Sequence, residues 1–174
     1  MVNAFWLDRN LERAARWLVD RHVTSSVFEC SMVLTTAAQL RGYEGEELYF
    51  THPDHPLTRW ATQALENWEY LRKYTACAHD EWRYRWNHAE DEFHGSWATV
   101  RRLDDDRVAA LDWPGAPGDP PQVTGKWKAD DYMDAYRLYY ANEKRDLFRW
   151  AKDREPPPWL SAYTFPEGPD SHPY

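Results

Sequence analysis

"LERAARWLVDRHVTSSVFECSMVLTTAAQL", residues 11–40, decides how the chain folds. Its apolar positions recur every three to four residues rather than every second one, which predicts helix throughout. Asp8 or Asn10 can cap its start, and Gly42 follows its end as a C′ glycine does. At 100° per residue, Val23, Val27, Cys30 and Leu34 fall on one side and Phe28 and Met32 on another. Between them runs a polar strip of His22, Ser25, Ser26 and Glu29. A helix apolar on two sides is buried, so the strip is expected to face a cleft or the interior.

The same spacing predicts a second long helix over 57–86, a shorter one over 88–103 and another over 129–152. Residues 2–7, "VNAFWL", read as a short extended lead-in, and 43–56 as a loop. Residues 104–128 gather prolines and glycines, the mark of a long loop. The expected fold is all-α: a compact bundle of three long helices plus shorter ones. It forms one domain over 1–153, and a Pro-rich tail, 154–174, packs on it.

The chain has 174 residues, enough for one core, and 16% of them are aromatic. A mean hydropathy of −0.88 places that apolar area on amphipathic elements. No stretch approaches the roughly 20 apolar residues of a membrane span, and residues 1–10 do not read as a signal peptide. A cytoplasmic protein is expected, in a host cell if the chain is phage-encoded. The formal charge of −8 argues against a nucleic-acid footprint over the whole surface, though not against a local basic groove. Cys30 and Cys77 lack the spacing of a metal or redox pair and read as buried thiols.

Three constellations stand out. The strip of His22, Ser25, Ser26 and Glu29 suits either a satisfied core pair or a general acid/base pair, since burial raises a carboxylate's pKa. A stripe on the second helix includes Glu81 and Arg85. The last helix offers Arg137, Tyr140 and Lys144, two cations with an aromatic between them. Such interleaving suits a phosphate backbone with a base stacked on the ring, or an ordinary solvated face. The run "HAEDEFH", 88–94, contains ligand-type residues but matches no metal-binding spacing. Neither a metal nor another cofactor is expected.

The segment "LVDRHVTSSVFECSMVL" resembles the bacteriophage pyrimidine-dimer DNA glycosylases of the endonuclease V type. In that family Asp-Gln-His is followed, seven residues after the His, by the catalytic Glu; here the positions are Asp20-Arg21-His22 and Glu29. The second long helix is similar to the family's Leu-x-Phe-Leu-Arg-Lys run, here Trp68-Glu69-Tyr70-Leu71-Arg72-Lys73, followed by Glu81 and Arg85. The likeness covers about residues 17–87. The chain is also similar to short phage proteins that begin Asn-x-Phe-Tyr-Leu-Asp and end in a Tyr-Arg-x-Tyr-Tyr helix, here "NAFWLD" and Tyr136-Arg137-Leu138-Tyr139-Tyr140.

The resemblance implies a DNA glycosylase with AP-lyase activity that excises a damaged or modified base. The α-amine of Val2, exposed by removal of the initiator Met, would be the nucleophile. Glu29 would stabilise sugar positive charge and shuttle protons, and His22 would orient phosphate or sugar. Ser25, Ser26, Arg85, Arg137, Tyr140 and Lys144 would contact DNA, the expected partner. Where the family flanks its Glu with arginines this chain has Phe28 and Met32, which leaves the base open. Two other readings stand beside this one. One is a non-catalytic nucleic-acid- or protein-binding accessory factor, and the other an enzyme acting on free nucleotides with Arg137 and Lys144 on the phosphate.

Overall fold

The computed structural model describes residues 4–123 and 125–165. Within them the chain is helical and forms no strand. The helices are α1 (Leu11–Trp17), α2 (Asp20–Leu40), α3 (Pro56–Ala61), α4 (Leu65–Trp86), α5 (Gly95–Val100), α6 (Asp105–Ala109), α7 (Tyr132–Glu143) and α8 (Leu160–Tyr163). Two 3₁₀ turns, Gly125–Trp127 and Arg145–Leu147, flank α7. The all-α expectation is met, and α2 and α4 pack together as its two long members.

Each long pattern breaks where no glycine or proline marks it. The first parts at Leu18 and Val19, both extended and fully buried. The Val19 N–H, which a continuous helix would have used, donates to the Tyr140 hydroxyl at 2.8 Å. The second parts at 62–64, where Ala64 is extended and Gly115 N–H donates to the Gln63 carbonyl at 2.9 Å. Tertiary hydrogen bonds have outbid helix propensity at both places. Asn10, not Asp8, caps α1 by accepting from Arg13 N–H, and Gly42 leaves α2 at φ +95°, where a side chain would be strained.

Three other boundaries move. Asn87, in the left-handed region, ends α4, so the helix expected over 88–103 is confined to α5. The helix expected over 129–152 is the twelve residues of α7, followed by a turn and an extended segment. The helices packed most closely on α2 are α4, α5 and α3, while Tyr140 of α7 meets its start through hydrogen bonds to Val19 and His22. The loop over 104–128 holds α6 and is stitched to the body: Trp60 Nε1 donates to the Gly118 carbonyl and Tyr136 to the Pro121 carbonyl.

The lead-in is not a surface strand. Residues 4–7 are buried with their backbone. Phe5 N–H donates to the Tyr74 hydroxyl at 3.1 Å, and that hydroxyl lies 3.3 Å from the Phe5 carbonyl, to which it donates. Trp6 packs against Trp60, Tyr70 and Tyr74. Removing the hydroxyl would orphan the buried Phe5 N–H, while the Phe5 carbonyl would keep Leu7 N–H at 3.0 Å. Tyr74→Phe is expected to destabilise the fold by about 1–3 kcal/mol, read as a lower urea midpoint with an unchanged slope.

Candidate functional site

Burial along α2 follows the helical angle. Phe28 is 46% exposed, Ser25 and Glu29 are half-buried, and His22 and Ser26 are buried. The polar strip is thus the edge of the helix, where its surface turns from solvent to core. Phe28, expected to be covered, faces out because nothing described packs over that side of α2.

His22 sits at the inner end of this edge. Its ring stacks on Phe5 with centroids 4.3 Å apart, and its Nδ1 lies 2.9 Å from the Tyr140 hydroxyl. The Tyr140 oxygen already accepts from Val19 N–H, so its own proton is best placed on His22 Nδ1, which assigns the Nε2–H tautomer. Burial, reinforced by the charges of Lys144 and Arg21, lowers the His22 pKa to about 4. The ring is neutral near pH 7. Lys144 lies over Tyr139 at 5.0 Å, and Tyr139 is stacked 6.4 Å from Phe5. The structure therefore groups His22, Phe5, Tyr139 and Lys144, with Ser25 and Glu29 further along the same edge. Val2 lies outside the described residues.

The other DNA-contact candidates have structural partners. Arg85 has no exposed side-chain area. It donates to Glu81 at 2.6 Å, to Asp20 at 2.9 Å and to the Arg16 carbonyl at 2.9 Å. Glu81 in turn receives a two-pronged contact from Arg154, at 2.7 and 2.9 Å. Asp20 also accepts from Ala151 N–H. This buried network ties the starts of α2 and of the tail to the end of α4. Arg137 donates to the Leu7 carbonyl at 3.0 Å and lies under Trp159 and Tyr163. Tyr140 is fully buried and cannot offer its ring to a base. Ser26 is buried too, and its hydroxyl makes no hydrogen bond among the described residues. The free-nucleotide reading relied on Arg137, whose guanidinium is held here by the lead-in.

Glu81 and the "HAEDEFH" run do not converge. His88 stacks on Trp82 at 3.6 Å and pairs with Glu92 at 2.6 Å. His79 Nε2 accepts from the His94 N–H at 3.3 Å, and burial lowers the His79 pKa to about 4. No group of three His, Cys, Asp or Glu among the described residues could hold a metal ion. Sequence reasoning missed Phe5 and Tyr139 as parts of the His22 cluster. The signal available was "AFWL", four apolar residues in a row, the pattern of a segment covered on every side.

Two consequences are measurable. Glu81→Gln leaves the buried Arg85 short of a counter-charge and should cost about 3–5 kcal/mol in urea unfolding. His22 and His79 bind fewer protons folded than unfolded between pH 6.5 and about 4, so stability is full above 6.5 and falls as pH drops through that window. His22→Gln should flatten the fall, as read by the urea midpoint at pH 7, 5.5 and 4.5.

Compared with known protein families, with curated proteins and with solved structures, the chain finds no match.

Proposed function

We propose that the chain excises a base from DNA, with the α-amine of residue 2 as nucleophile and Glu29 as the carboxylate beside it. The observation that carries this reading is the stacking of Phe5 on His22 at 4.3 Å. It anchors the lead-in to the same helix edge that carries Glu29. Three residues of chain span at most about 10 Å, and the two turns from His22 to Glu29 rise about 10 Å. The lead-in before Phe5 is thus as long as the stretch of α2 between His22 and Glu29; residue 2 itself lies outside the described residues.

The chemistry follows from those groups. An α-amine with an ordinary pKa near 8 is partly neutral at working pH. It forms a bond to C1′ as the C1′–base bond breaks, and the base departs with that electron pair and a proton. Glu29 offsets the positive charge on the sugar and passes protons. Loss of the ring C1′–O bond gives a Schiff base, from which β-elimination expels the 3′ phosphate. His22, neutral, is a hydrogen-bonding group here and not a phosphate counter-ion. The nucleotide must leave the stack to be reached.

A second reading, a non-catalytic nucleic-acid- or protein-binding factor, is favoured by the commitment of Arg85 and Arg137 to internal partners. Borohydride trapping on duplexes with abasic, damaged or modified sites separates the two. Base excision predicts a covalent adduct that disappears when a residual N-terminal tag blocks the amine. It also predicts that Glu29→Gln folds normally yet slows excision about a hundredfold or more. Binding with neither adduct nor excision would overturn it in favour of the accessory factor.

A further inference from the structure

A cleft of about 590 Å³ opens where α2 begins, α4 ends and the segment after α7 crosses them. Asp20, Arg21, Trp86, Asp146, Phe148 and Arg149 line it. The acid at its floor is already neutralised: one Asp20 oxygen accepts from Arg85 and from Ala151 N–H, and the other lies 3.5 Å from Arg149 Nε. Arg149 is nonetheless 86% exposed in its side chain, and Arg21 is exposed beside it. Trp86 shows 38% of its surface at the rim.

The lining carries Arg21 and Arg149 against Asp20 and Asp146. Asp20 is already met by Arg85 and by Ala151 N–H, so in a chain of net charge −8 this cleft is not acidic. Its two guanidiniums share one lining with the exposed Trp86 indole. Flexible guanidiniums beside an open aromatic face are what a phosphate-linked base requires, the ring for stacking and the cations for the backbone.

We propose that this cleft binds a single-stranded segment of nucleic acid, with a base on Trp86 and a phosphate between Arg21 and Arg149. Arg21 lies about 100° round α2 from His22, on the exposed side that also carries Phe28. The assignment rests on the nucleic-acid reading of the protein and not on excision. It transfers the backbone-holding task from Arg85 and Arg137 to residues that are open.

The test uses an undamaged, labelled oligothymidylate, so that excision plays no part, with thymidine monophosphate as a second probe. Anisotropy of the wild type should show binding to the oligonucleotide at least about tenfold tighter than to the monophosphate. Arg21→Ala/Arg149→Ala should weaken oligonucleotide binding about tenfold or more and reduce the salt slope by about 0.7, one phosphate contact on a single strand. Trp86→Ala should weaken it about fivefold or more with the slope unchanged, and Trp86→Phe should recover part of the loss. Arg149 is exposed enough that its loss leaves the fold intact, which the circular dichroism spectrum checks. Unchanged binding in the arginine double variant, or no wild-type binding, overturns the cleft; equal affinity for the monophosphate makes it a nucleotide pocket instead. Excision lost with this binding retained would fell the glycosylase reading alone.

Discussion

One hydroxyl, that of Tyr74, accepts from the Phe5 N–H inside the core and shares the Phe5 carbonyl with Leu7 N–H. A non-helical segment buried in a helical protein has no ladder to use, and each unpaired N–H or carbonyl would cost about 1–3 kcal/mol. The same device recurs. The Tyr140 hydroxyl takes Val19 N–H, Tyr43 takes Asp104 N–H, and Tyr136 donates to Pro121. The indoles of Trp60, Trp68, Trp113 and Trp150 donate to the carbonyls of Gly118, Leu34, Val108 and Trp17. The abundance of Trp and Tyr is thereby explained. Each supplies a large apolar body with a polar tip, and many of the tips meet backbone groups, as at Phe5, Val19 and Gly118 where the chain is not helical.

The buried charges do comparable work at the other end of the bundle. Arg85 joins three parts of the chain through Glu81, Asp20 and the Arg16 carbonyl, and Arg154 adds the tail. Removing one partner from such a set is costly, since a charge is left uncompensated. The arrangement fixes where α2 begins, and so the height of His22 relative to the lead-in. With these cations consumed internally, contact with an anionic partner falls to open side chains such as Arg21 and Arg149.

The helical class was legible because amphipathic periodicity is a local signal, and the angular order of Phe28, Glu29, His22 and Ser26 follows from geometry alone. What the sequence did not reveal was set by distant partners. The breaks at Val19 and Ala64 depend on Tyr140 and Gly115 and carry no local mark. Phe28 was expected to be covered because it is large and apolar, yet its exposure depends on what the rest of the chain leaves open. Arg85 and Arg137 have the spacing of an open cationic stripe. Their partners, Asp20 and the Leu7 carbonyl, are remote in sequence, and only the folded chain shows that both guanidiniums are taken.

Residues 4–7 are a fixed part of the core, held against α2 through the stacking of Phe5 on His22. Amide hydrogen exchange at Phe5, followed by NMR, tests this most directly. The Phe5 amide should exchange only through opening close to global unfolding, within about 1–2 kcal/mol of the most protected amides of α2 and α4. Exchange as fast as that of an exposed loop amide would contradict it.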